Sequence, residues 1–220
     1  MSTVGTSKTK VLYELSDIDQ NNYVDAEIWI QYNKALSFIS KELANLDLKM
    51  GVTNTTATIA ASGNSASLNS AFIAFANNEK GNPKIFNSTE NYLQMTQAKE
   101  SEVDEWETET SADTGVPDKF YLRGLTLYVH PWALVETTIK YHYHPMKSIT
   151  NDNSTMPWDD IFNDAIEHYI VLALRMRDER LNMVQLDSFL FDVLKKDVLN
   201  IIFKREGFTM NIASGFGWDQ

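Results

Sequence analysis

PDKFYLRGLTLYVHPWALVETTIKYHYHP, residues 117–145, and MPWDDIFNDAIEHYIVLALRMRDER, residues 156–180, are the stretches whose reading decides the fold. The first predicts two strands. Phe120–His130 carries Phe120, Tyr121, Leu122, Leu125, Leu127, Tyr128 and Val129, with Arg123-Gly124 in its middle. Aromatic and β-branched density of this kind suits a pleated, half-buried surface. Pro131-Trp132 predicts a corner. Leu134–His144 predicts a second strand, alternating through Val135, Ile139, Tyr141 and Tyr143 and completing a hairpin with the first. Pro145 ends it, because a proline cannot continue a ladder. A polar loop then leads to Met156-Pro157 and to a helix from Trp158 to about Arg180. Its stripe is Ile161, Phe162, Ala165, Ile166, Tyr169, Leu172, Ala173 and Met176. Around Tyr169–Leu174 it is apolar on every side, which predicts burial all round.

Working outward, the chain is helical at both ends and β-rich between them. Residues 1–7 read as mobile, and Lys8–Ser16 as a short helix with Val11, Leu12 and Leu15 on one side. Asp17–Asn22 is a polar turn. Asp17, Asp19 and Asn21 alternate as calcium ligands do, but Asn22 stands where the loop needs glycine and Ile28 where it needs glutamate. The turn therefore reads as a cap for the next helix, about Asp25–Leu46, whose stripe is Ile28, Tyr32, Ala35, Leu36, Ile39, Leu43 and Leu46. Trp29 and Phe38 lie off the centre of that stripe, available to another element or another subunit.

Past Gly51, Thr53–Ala61 alternates as a strand, Ser62–Ser70 is a small-residue loop and Ala71–Ala76 is a strand. Lys84–Phe86 and Tyr92–Thr96 are shorter strand candidates. Lys99–Glu107 predicts one or two acidic helical turns with Val103 and Trp106 inward. The last helix, about Gln185–Arg205, has more apolar surface than one helix-on-helix contact needs. Phe191, Val198 and Ile202 are its candidate subunit contacts. Gly207 ends it. The tail Phe208–Gln220 holds Phe208, Met210, Ile212, Phe216 and Trp218, which either fold back or dock into a groove on a partner. The expected class is α+β: residues 1–50 and 147–207 form a helical bundle, 51–146 a β-rich insertion, and 208–220 an extended docking tail.

Composition narrows the chemistry. Hydrophobic residues make up 43% of the chain and charged residues 22%, which fits an ordered globular protein. There is no cysteine, which excludes disulfides and thiol catalysis. The polar first ten residues predict no signal peptide, and no stretch is apolar for long enough to predict a membrane span. The net charge of −11 opposes tight phosphate binding; it reads either as simple solubility or as a surface past which DNA slides without adhering. His142 and His144, two apart on a strand, share a face as zinc ligands would, but no third ligand accompanies them. Glu102, Asp104, Glu105, Glu107 and Glu109 read as a solvated acidic face. No nucleophile elbow, Walker loop, GxGxxG or HExxH is present. The sequence thus predicts no catalytic residue, metal or cofactor, and no enzyme.

Two sets of residues carry a resemblance. One is the short helix, the turn at Asp17-Ile18-Asp19, the acidic start Asp25-Ala26-Glu27, and Tyr32-Asn33-Lys34-Ala35. The other is Gly115-Val116-Pro117 before an aromatic strand, a strand ending at His130-Pro131, a strand ending at Tyr143-His144-Pro145, and Pro157 opening a helix. In this order they resemble the adaptor, or head-completion, proteins of tailed bacteriophages, from about Val11 to Arg205. The Asn54–Phe86 region lacks that family's strand-ending Leu-Pro, and the aromatic tail is not general to it. The resemblance implies a structural virion protein at the neck, between capsid and tail, that resides in the host cytoplasm before assembly. It implies a homo-oligomeric, usually dodecameric ring beneath the portal protein, extending a channel through which DNA passes without specific binding. A downstream neck or tail protein would bind its far side, with no membrane involved. Trp29, Phe38, Phe191, Val198 and Ile202 would then serve subunit contacts, and the aromatic tail the portal. Two other classes remain open: another neck component, such as a stopper or tail-completion protein, and a stand-alone carbohydrate-binding β-domain using Trp106, Trp132 and Trp158 as stacking platforms.

Overall fold

The computed structural model describes residues 2–17, 19–20, 22–108, 113–178 and 183–206. The architecture is α+β, with helices at both ends of the chain and open sheets in its centre. The chain divides into two units, Met1–Ile39 with Ser148–Gln220, and Ser40–Lys147.

The first unit is helical: α1 (Val4–Glu14), the start of α2 (Asp25–Asn45), a 3-10 turn (Pro157–Asp160), α4 (Asn163–Asp178) and α5 (Met183–Glu206). Its core is the meeting of the apolar stripes. Ile28, Tyr32, Ala35, Leu36 and Ile39 of α2 are fully buried, with Phe162, Ile166, Tyr169 and Ile170 around α4 and Leu194 and Val198 of α5. Two expectations are corrected here. The first helix starts at Val4, not Lys8, because the Thr3 hydroxyl accepts from the Thr6 amide and Val4 is buried. Its first amides are also met: Val4 and Gly5 donate to the carbonyls of Ser154 and Asp152 at 2.9 and 2.8 Å. A Cβ at Gly5 would lie 3.3 Å from the Asp152 carbonyl, so any side chain here would push that loop back by a few tenths of an ångström. The second correction concerns Trp158. Helix α4 starts only at Asn163, because Trp158 and Asp160 take φ of +58° and +67°, which no right-handed helix accommodates.

The second unit holds the strands. β1 (Thr53–Ile59) pairs with β11 (Thr137–Pro145), which also pairs with β3 (Phe72–Phe75) and β4 (Ile85–Asn87); β5 (Leu93–Gln94) adds to β4. A second sheet runs β2 (Ser65–Ser67), β9 (Thr126–His130), β8 (Lys119–Arg123), β6 (Thr96–Gln97), and β10 (Trp132–Ala133) pairs with β7 (Thr114–Gly115). α3 (Glu100–Thr108) follows β6. The sheets share a core of Ile59, Ile85, Met95, Phe120, Leu127, Val129, Ile139 and Tyr141, with Phe75 packing on it.

The decisive stretch behaves differently from its reading. Phe120–His130 is not one strand but the hairpin β8–β9, in which Arg123 faces Thr126 and Gly124 turns the chain at φ +58°. A two-residue turn needs a positive φ there, which glycine supplies without strain. The expected hairpin between this segment and Leu134–His144 does not form. The second strand starts at Thr137 and belongs to the other sheet. Between them Ala133 is fully buried, donating to the Gly63 carbonyl at 2.9 Å and accepting from the Ser62 amide at 2.7 Å. The small-residue loop 62–70 likewise contains a strand, β2, whose Ser65–Ser67 pair with Tyr128–Thr126.

Candidate functional site

The helical unit is fastened by three polar clusters. In the first, Tyr32 on α2 donates to the Ser7 hydroxyl on α1 at 2.7 Å, and Ser7 donates to Glu167 on α4 at 2.6 Å. All three are buried. Burial pushes the Tyr32 phenol well above its ordinary pKa, outweighing the Ser7 hydrogen bond, so it stays protonated and keeps donating. In the second, Lys8 lies between Asp25, at 3.0 Å, and Asp152. Burial pulls the ammonium down, but hydrogen bonds and charge from Asp152 and Asp25 outweigh this and raise its pKa. In the third, the Ser2 amide donates to both Asp160 oxygens at 2.8 and 2.7 Å, and the Ser2 hydroxyl to one of them at 2.7 Å. The Ser2 side chain and backbone together pull the Asp160 carboxyl down to about 2. These groups tie α1 to α2, to the 151–160 loop and to α4.

The residues expected to make subunit contacts lie within the helical unit as follows. Trp29 is half-buried and its indole donates to Asp152 at 3.1 Å. Phe38 and Phe191 stack on each other, centroids 4.9 Å apart and planes 14° off parallel, and Phe191 stacks on Tyr169 at 5.8 Å. Val198 and Ile202 are 0% and 2% exposed, so they are core side chains of the chain itself and present no free face. Part of the surplus expected on α5 is absorbed, because Leu190, Leu194, Val198 and Ile202 recur every four residues and form one buried stripe, while Phe189 stays exposed. Phe208, Met210, Ile212, Phe216 and Trp218 lie outside the described residues.

Among the described residues, the exposed apolar groups of this unit are others: Tyr13 at 73%, Val24 at 56%, Ile30 at 55% and Phe189 at 52%. Ile30 had a legible signal. It lies two residues from Ile28, roughly 200° round the helix from the stripe. An apolar side chain opposite a complete stripe has no place in that helix's own core.

In the β-rich unit, His142 and His144 do not converge on a metal site. His144 is buried and its Nε2 donates to Asp47 at 3.2 Å, while His142 sets its ring edge-on to Phe86. Burial, then the charges of Lys84 and Lys140, lower the His142 pKa. Among the described residues no group of three His, Asp or Glu side chains is placed to hold a metal ion. In the acidic segment, Glu102 accepts from Lys119 at 2.6 Å, and this bond lowers its pKa. Val103 is half-buried, as is Trp106, which stacks on His130 with centroids 4.1 Å apart and planes 5° off parallel. Trp106 therefore offers one covered face, and Trp158 packs its ring against Phe162.

No family model matches the chain, and no curated protein matches it either.

Proposed function

We propose that this chain is a structural adaptor of the tailed-phage head-completion kind, assembling as a ring beneath a portal protein and joining capsid to tail. The observation that carries the reading is the order of the chain: a helical unit built from both ends, with a β-rich unit inserted between α2 and α4. The apolar side chains exposed on the helical unit, Val24, Ile30 and Phe189, are the candidate contacts between copies. A ring uses head-to-tail interfaces, in which such a patch meets a different surface of the next copy. The net charge of −11 favours a lumen that repels the DNA backbone. In this reading the aromatic tail, residues 208–220, reaches the portal.

The test is the mass of the assembled species, measured by native mass spectrometry on the full chain alone and mixed with the portal protein of the same genome. A ring, formed alone or only on the portal, is the expected result. A chain that stays monomeric and does not join the portal overturns the reading. Removing residues 208–220 should weaken portal association while leaving the melting temperature unchanged. Undiminished association would reject the tail as the docking element.

A further inference from the structure

In the β-rich unit a concavity of about 540 Å³ opens between the segment after α2, with Asp47 and Lys49, and the β3–β4 turn, with Asn77, Glu79, Lys80 and Lys84. Its floor is fixed. Asp47 Oδ1 accepts from the Asn77 amide at 3.0 Å and from His144 Nε2 at 3.2 Å, so this carboxylate is engaged with the protein. The turn is closed by Asn78. Its side-chain oxygen accepts from the amides of Lys80 and Asn82 at 2.9 and 3.1 Å, and its carbonyl from Gly81 at 3.0 Å. Gly81 has φ +78°, which suits glycine at a reversal this tight. Lys84 is held on both sides: its amide donates to the Ala76 carbonyl at 2.8 Å and its own carbonyl accepts from the His142 amide at 3.0 Å. The backbone thus holds three lysines around one hollow.

None of these three ammonium groups forms an ion pair with a carboxylate of the described residues. The chain as a whole carries 30 acidic and 19 basic side chains. Within the hollow, cations outnumber the carboxylates Asp47 and Glu79, and Asp47 is already engaged by two donors. The local balance is the reverse of the overall one.

We propose that this concavity binds an organic phosphate. The donor chemistry selects the ligand. A carboxylate is best matched by the planar fork of arginine, and the lining has none. Separate lysine point charges, with the Asn77 carboxamide beside them, suit a tetrahedral anion whose oxygens point in several directions. The volume falls among sites for ligands of nucleotide size, and is larger than a bare oxyanion needs. Glu79, exposed on the turn, opposes the anion and tunes affinity down. The phosphate could be supplied by a free nucleotide or by a nucleic-acid backbone. The inference stands on the β-rich unit alone and does not rest on the adaptor reading.

The experiment is isothermal titration of the full chain at low salt, with ATP as one probe and a short DNA duplex as the other. ATP should bind saturably at a single site. Lys84→Ala and Lys80→Ala should each weaken binding by about tenfold, the usual effect of losing one charge-assisted bond. Glu79→Gln should strengthen it, and Lys196→Ala on α5 should leave it unchanged. Lys84→Gln provides a second variant, and melting curves confirm that each variant is folded. Duplex binding with the same lysine dependence, without ATP binding, would support the phosphate site and make the backbone its ligand. The proposal is overturned if neither probe binds at low-millimolar concentration. It is also overturned if binding persists undiminished in a folded Lys80→Ala/Lys84→Ala double variant.

Discussion

Val198 separates two accounts of helix α5, because the same side chain is core in one and interface in the other. It is fully buried within the single chain, in a stripe with Leu190, Leu194 and Ile202. Val198→Ala removes two methyl groups. At about 0.8 kcal/mol per buried carbon the transfer loss is about 1.6 kcal/mol. Two methyl groups leave roughly 50 Å³ of space, and at about 24 cal/mol per Å³ an unrelaxed cavity adds up to about 1.2 kcal/mol. The expected cost is therefore about 2–3 kcal/mol, independent of protein concentration. Urea unfolding followed by far-UV circular dichroism measures it, repeated at two concentrations tenfold apart. Because the chain has two units, the transition to fit is the one that loses most helical signal. A midpoint that falls with an unchanged slope supports the core assignment. A loss under about 0.5 kcal/mol, together with a midpoint that rises with concentration, would refute it and return Val198 to a subunit interface.

Other substitutions probe other joints. Ser7→Ala leaves the buried Tyr32 hydroxyl and Glu167 without their shared partner, and should cost about 1–3 kcal/mol in urea unfolding; a cost no larger than that of Thr9→Ala, exposed on the same helix, would show that the cluster does not fasten α1. Gly124→Val should cost about 1–2 kcal/mol, since a β-branched residue at φ +58° is strained, while Leu125→Thr beside it should be nearly neutral; equal effects at the two positions would contradict the turn. The Asp160 carboxyl has its pKa lowered on folding from 3.8 to about 2, so its stabilising contribution is complete above the upper value and is lost as pH falls through the lower. Asp160→Asn should therefore flatten the decline in melting temperature across that acid window, and an unchanged profile would count against the Ser2 contact.

Much of the helical unit was legible because burial there follows helical periodicity. Ile28, Tyr32, Ala35, Leu36 and Ile39 occupy the predicted stripe of α2 and are all fully buried. The start of α1 was not legible. Val4 and Gly5 are helical because the 152–154 loop accepts their amides, a contact between residues nearly 150 positions apart. No local pattern carries it. The β-rich unit shows the opposite difficulty. Phe120–Val129 is dense enough in apolar residues to read as one strand, and only Gly124 marks the reversal. Likewise β9 and β11 are near neighbours in the chain, yet they pair in different sheets, because Ala133 is buried at the crossing between them. The preference for sequential strands to pair is a tendency that such a buried crossing overrides.

Charge behaves in the same way. A net value of −11 describes the field at a distance, where individual groups are summed. At contact range the sum is irrelevant, because screening limits each exposed charge to about 10 Å at ordinary ionic strength. Lys49 and Lys80 are thirty-one positions apart, so no basic run announces them. They meet because Asp47 accepts from the Asn77 amide and from His144, joining the segment after α2 to the turn before β4. A carboxylate thus assembles a cationic hollow, and its own charge is engaged in doing so. An acidic chain can repel a long polyanion over most of its surface and still hold a single phosphate at one place. The two properties act over different distances, so the first provides no argument against the second.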